Sequence, residues 1–95
     1  MLSFTVRMRF AEADHEAIQA NLEALTRGSR SESGCISYIC HFLSDDPSTV
    51  LIYEQYADEA ALEFHRNTPH FKEHAIGGLY QRMRERHLEN LVAVA

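Results

Sequence analysis

An α+β domain in the order β-α-β-β-α-β, the split or ferredoxin-like arrangement in which a four-stranded antiparallel sheet carries its helices on one face, is predicted by three observations. Residues 2–10 alternate between apolar and polar side chains. Two segments rich in β-branched and aromatic residues, 35–42 and 49–56, flank the turn-forming stretch Ser44-Asp-Asp-Pro-Ser48. Apolar residues at helical spacing follow both the first strand and the hairpin.

The first strand sets Leu2, Phe4, Val6, Met8 and Phe10 on one face and Ser3, Thr5, Arg7 and Arg9 on the other. Asp14 is placed to cap a helix running to about Ser29, whose apolar stripe is Ile18, Leu22 and Leu25. Gly34 punctuates the chain before the hairpin. Asp58 caps a second helix to about His65, and Thr68 with Pro69 at the first helical position restarts a third, along which Phe71, Ala75, Leu79 and Met83 recur every fourth residue. Gly77-Gly78 weakens or bends that helix. The tail from about Arg86 to Val94 suits a last strand returning to the sheet.

The central strands carry apolar residues on both faces. Ile36, Tyr38, Cys40 and Phe42 stand against Ile39; Val50, Ile52 and Tyr56 stand against Leu51 and Tyr53. Helices cover only one face of a sheet, so a second copy is expected to pack sheet against sheet and form a homodimer.

The 95 residues are expected to form one domain, residues 1–95, because so short a chain buries only roughly two thirds of its surface around one core. Fourteen acids against nine Lys and Arg give a formal charge of −5, which argues against nucleic acid or an anionic membrane as partner. No apolar run has the length of a signal peptide or membrane span, and the expected address is the cytoplasm. Cys35 and Cys40, five steps apart in an extended segment, would lie about 16 Å apart on opposite faces and are expected as free thiols.

Six histidines are the most unusual feature. His70-Phe-Lys-Glu-His74 matches the H-x-x-E-H pattern of inverted zinc peptidases, but catalytic zinc needs a third protein ligand, which Glu85 or Glu89 would have to supply, and the expected reading is an exposed helix face with no metal. His65 follows Ala61 and Leu62 at helical spacing and so faces the sheet. It is either a packed imidazole bonded to a backbone carbonyl or a general base, for which a pKa near neutral is suited. Glu54 interrupts the apolar face of Val50, Ile52 and Tyr56, where a carboxylate must find a partner, such as Arg7 or Arg9, or raise its pKa. Tyr38 and Tyr53 offer phenols that strands usually bury as core. Cys35 has no evident group to lower its pKa. Arg82, Arg84 and Arg86 read as solvated surface. Dinucleotide, phosphate-loop, C-x-x-C and nucleophile-elbow patterns are absent.

Glu32-Ser-Gly-Cys35-Ile-Ser-Tyr38, Tyr53-Glu-Gln-Tyr56, Ala60-Ala-Leu62-Glu-Phe-His65 and Thr68-Pro-His70-Phe71 together resemble the antibiotic biosynthesis monooxygenase domain family, most closely its quinol monooxygenase-like members, over nearly the whole chain. The resemblance implies a dimeric α+β barrel with a small pocket between sheet and helices in each subunit. It also implies oxidation of a small aromatic or quinol substrate by O2 without a cofactor: a base removes a phenolic proton, and the electron-rich phenolate reduces O2. On this reading His65 and Glu54 are the catalytic candidates, and Tyr38, His70, Tyr53 and Phe71 the substrate-binding ones. The chain has no Trp, on which the haem-degrading branch of the family relies, and Tyr56 stands where close relatives often place one. Isomerases of small phosphorylated molecules also belong to the family, and Arg7 and Arg9 would serve such a substrate if they faced inward. A barrel that binds a small ligand without catalysis is the remaining alternative.

Overall fold

A computed structural model describes residues 1–95. Its elements run β1 (Leu2–Arg9), a short 3-10 turn (Glu12–Asp14), α1 (His15–Arg30), β2 (Cys35–Leu43), β3 (Asp46–Tyr56), α2 (Glu59–Arg66), a π-helix (Phe71–Leu79) with one closing α turn (Tyr80–Arg82), and β4 (Glu85–Leu91). The sheet is antiparallel in the order β2-β3-β1-β4. This is the ferredoxin-like α+β architecture the sequence predicts. No helix is long and apolar enough to cross a membrane.

Phe4, Val6 and Met8 from β1, Tyr38 from β2 and Val50, Ile52 and Tyr56 from β3 turn to the helical side, where they meet Ile18, Leu22 and Leu25 of α1 and Ala75 and Leu79 of the π-helix in one buried cluster. Arg7 and Arg9 therefore point to the opposite face, and neither lines the interior. Arg9 instead donates from Nη2 to Glu85 Oε1 at 2.9 Å.

Four local features differ from the sequence reading. Asp14 makes no capping hydrogen bond; its carboxylate takes Arg82 Nη1–H at 2.8 Å and ties the start of α1 to the end of the π-helical segment. The hairpin loop is only Ser44-Asp45, because Asp46 already pairs with Leu43 and its carboxylate accepts from Ser48 N and Thr49 Oγ1. The third helix winds with the wide π spacing. Gly77 and Gly78 hold an α-helix poorly, and a Cβ on Gly78 would come within 2.7 Å of Asn21, so that segment lies directly on α1. Finally, β4 stops at Leu91, and Val92 and Val94 are fully exposed.

Asp58 does cap α2, its Oδ1 accepting from Ala61 N at 2.8 Å. Thr68 Oγ1 likewise accepts from Phe71 N and donates to the His65 carbonyl. These two caps bracket His65 and fix where it points.

Candidate active site

His65 sits in the last turn of α2 and is 2% exposed. Its Nδ1 lies 3.0 and 3.2 Å from the two carboxylate oxygens of Glu32, so the partner is a side-chain carboxylate rather than a backbone carbonyl. Glu32, in the turn between α1 and β2, is 7% exposed and also accepts from His70 Nε2 at 2.6 Å. An ionised carboxylate only accepts, so His65 Nδ1 carries the proton and Nε2 keeps its lone pair. Burial holds the His65 pKa below its ordinary value, against the upward pull of Glu32. The imidazole is therefore neutral near pH 7.

Nε2 faces Glu54, whose Oε1 is 3.8 Å away. Glu54 stands on the helical face of β3, opposite Tyr38 across the β2–β3 ladder, and accepts a hydrogen bond from Tyr56 Oη at 2.6 Å. It pairs with neither Arg7 nor Arg9. Burial pushes its carboxyl up to about 7, against the opposing pull of the Tyr56 hydrogen bond. The phenols of Tyr38 and Tyr56 are raised, first by burial and then by the nearby Glu54. The rings of Tyr56, Phe71 and Tyr38 surround the imidazole at centroid distances of 5.1, 5.1 and 5.8 Å.

A cavity of about 40 Å³ opens beside this group, walled mainly by apolar side chains and also by Tyr38, Glu54, His65, Phe71, Arg66 and Arg86. It has room for water; a benzene ring fits a dry cavity of about 150 Å³ in another protein. Arg86 lies over the Tyr80 ring, 5.7 Å from its centroid, at the wall. Arg86 is thus part of the cavity rather than of a purely solvated cluster.

The sequence-predicted residues divide cleanly. Tyr38, Glu54, His65 and Phe71 converge on the cavity. His70 joins the group from behind, through Glu32. Tyr53 does not join it: β3 alternates, and Tyr53 projects from the outer face next to Thr5 and Ile39. Glu32, which orients both histidines, was not among the candidates; the polar run Arg30-Ser-Glu-Ser reads as a solvated turn. The signal for it lies elsewhere in the sequence, because a histidine predicted to face the core needs a buried acceptor.

His70 and His74 do not converge as a zinc-peptidase pair. His70 turns to Glu32, whereas His74 pairs with Asn21 and Glu73, and Glu85 is bonded to Arg9. The donor atoms of Glu32, His65 and His70, by contrast, lie within 4.8 Å of one another and are the group that can hold a metal ion. Cys35 and Cys40 are free, and burial raises both thiols to about 11, so neither is an activated nucleophile.

Two glycines make the cluster possible. A Cβ on Gly28 would fall 2.4 Å from the His70 ring, so α1 can approach His70 only without a side chain there. A Cβ on Gly34 would fall 2.4 Å from that of Ala61, which lets α2 lie against the start of β2 and carry His65 to Glu32.

Comparison with known proteins bears on the fold and the family. The solved structure of PA3566 from Pseudomonas aeruginosa superposes with a TM-score of 0.89 at 32% identity, covering 99% of this chain and 94% of that one. A crystal structure of an antibiotic biosynthesis monooxygenase gives a TM-score of 0.91 at 22% identity over the full length of both chains, which speaks to the fold. In sequence, Rv0793 of Mycobacterium tuberculosis, provisionally named a monooxygenase, is 36% identical over 55 residues, 58% of this chain and 54% of that protein. The chain thus matches about half the length of that relative. The family model for antibiotic biosynthesis monooxygenases matches residues 1–75, a span that contains every residue of the Glu32–His65–His70 and Glu54–Tyr56 groups. The chain belongs to the antibiotic biosynthesis monooxygenase family.

Proposed function

We propose that the protein is a homodimeric, cofactor-independent oxygenase that oxidises a small phenol or hydroquinone with O2, with His65 as the base. The observation that carries this reading is a buried, neutral imidazole whose Nδ1–H is held by Glu32 and whose Nε2 lone pair faces a mostly apolar cavity. Nε2 takes the phenolic proton. The phenolate then reduces O2: one oxygen atom enters the ring, the other leaves as water, and the electrons and hydrogens of that water come from the substrate. Glu54, with a carboxyl near neutral pKa, returns a proton to the reduced oxygen on this reading. A dry cavity favours the charge transfer and limits loss of reactive intermediates. Ring entry requires the cavity to widen, since about 40 Å³ is too small for an aromatic ring.

The dimer belongs to the same reading. Ile39, Leu51 and Tyr53 form an apolar strip on the outer face of the sheet, with Ile39 42% exposed, and a second sheet would cover it. Two unpaired cysteines suit a reducing, cytoplasmic setting. The test is oxygen consumption with a panel of quinols, aerobic against anaerobic, for wild type and His65→Ala. The reading expects O2-dependent turnover that the substitution reduces by about 10²-fold or more; equal rates remove His65 from the mechanism.

A second reading, isomerisation of a small phosphorylated molecule, is favoured by Arg66 and Arg86 on the cavity wall, in place of the outward-facing Arg7 and Arg9. Thermal stabilisation by inorganic phosphate with no oxygen consumption would support it.

A further inference from the structure

We infer that Glu32, His65 and His70 form a site for a first-row divalent cation, set behind the cavity. Three donors of the types such ions take, two imidazole nitrogens and a carboxylate oxygen, arrive from three separate elements: the α1–β2 turn, the end of α2, and the residue before the π-helix. His65 Nδ1 and His70 Nε2 lie 3.0 and 2.6 Å from the same oxygen, Glu32 Oε2. Ligands around a tetrahedral zinc ion stand roughly 3.3 Å apart, so the two contacts must open by about 0.3 and 0.7 Å for an ion to replace the shared protons.

A second observation comes from the other side of the imidazole. Metal-bound histidines characteristically donate their remaining N–H to a carboxylate, and here His65 Nε2 faces Glu54, itself anchored by Tyr56. The carboxylate–histidine–ligand line is thus laid out from β3 through α2 to Glu32. The side chains of Glu32 and His65 are 3% exposed and that of His70 is 20% exposed, so the cluster meets solvent on the His70 side.

The ion and the base use His65 in opposite ways. An ion on Nδ1 forces the remaining proton onto Nε2, where it points to Glu54 and the lone pair facing the cavity is gone. The cation-bound protein is therefore a resting form of the oxygenase proposed above, but the site itself does not depend on that reading.

The test is binding to protein stripped of metal with chelator. Titration with Co2+, followed by visible absorption, and with Zn2+, followed by calorimetry, is expected to show one ion per chain. His70→Ala, at the most exposed ligand, and Glu32→Gln are each expected to weaken binding at least about tenfold while thermal unfolding still shows a folded chain. His74→Ala, outside the cluster, is expected to bind as wild type. Absence of saturable one-to-one binding, survival of binding in the His70 and Glu32 variants, or its loss in His74→Ala would each overturn the assignment. If binding holds but no phenol is oxidised, the cation site stands and the oxygenase reading falls.

Discussion

The two faces of β3 are built from alternating residues of one strand, yet they do different work. Val50, Ile52, Glu54 and Tyr56 lie under the helices, fully or almost fully buried, and Glu54 there meets Tyr56, Tyr38 and His65. Leu51, Tyr53 and Gln55, one step away, face outward and remain half-buried with no helix above them. A carboxylate on the covered face loses water, finds one hydroxyl donor and shifts its pKa toward neutrality. A phenol on the open face points away from the cavity. Chemistry follows the face, not the residue type: Tyr38 and Tyr53, two strand tyrosines, end on opposite sides.

The covered face is most vulnerable where two glycines let its elements approach. Gly34→Ala puts a methyl group against Ala61, and Gly28→Ala puts one into the His70 ring. Each is expected to destabilise the fold by about 2–3 kcal/mol in chemical denaturation, and Gly28→Ala also to free His70 from Glu32. Equal stability to wild type would show that the close approach is not required.

Next in size is the pH dependence of Glu54. Its folded pKa, about 7, lies above the ordinary value of 4.5, so the folded state favours the neutral acid. Its contribution is fully present below the ordinary value and is lost as pH rises through about 7. In metal-free protein, wild type is expected to lose up to about 3 kcal/mol relative to Glu54→Gln between pH 4 and pH 8. A flat difference would mean that Glu54 titrates as an exposed carboxylate. On the same face, Tyr56→Phe removes the hydroxyl that supports ionised Glu54 and is expected to cost about 1–2 kcal/mol at pH 8, less at pH 5.

The open face gives the complementary test. Leu51→Arg is expected to leave the monomer fold and the Glu32–His65 contact intact, while converting the proposed dimer to monomer in sedimentation equilibrium at micromolar concentration. A wild-type monomer, or an undisturbed dimer in the variant, would remove the outer strip as an interface. The smallest effect is expected at Glu73, exposed and paired only with His74: Glu73→Ala should change stability by no more than about 0.5 kcal/mol.

Alternation in β1 and the β-rich hairpin made the sheet readable from sequence, and the spacing from Ala61 and Leu62 to His65 made the imidazole's inward direction readable. Which face of β3 the helices would cover was not readable, because both faces are apolar. Tyr53 was therefore grouped with Tyr38 although the pleat separates them. Glu32 stayed hidden for a different reason: its neighbours are polar, and its burial arises only when α2 comes down on Gly34. The π-helix was legible only as a weakness at Gly77-Gly78, since periodicity in i, i+4 steps does not distinguish a wide helix whose own Gly78 lies against α1.

Whether His65 can act as a base depends on which ring nitrogen holds its proton, and long-range ¹H–¹⁵N correlation of the imidazole nitrogens in metal-free protein at pH 7 reads that directly. The expected spectrum shows a neutral ring protonated at Nδ1, with Nε2 bare, and a change of tautomer or exchange broadening in Glu32→Gln. A ring protonated at Nε2, or an imidazolium, would contradict it.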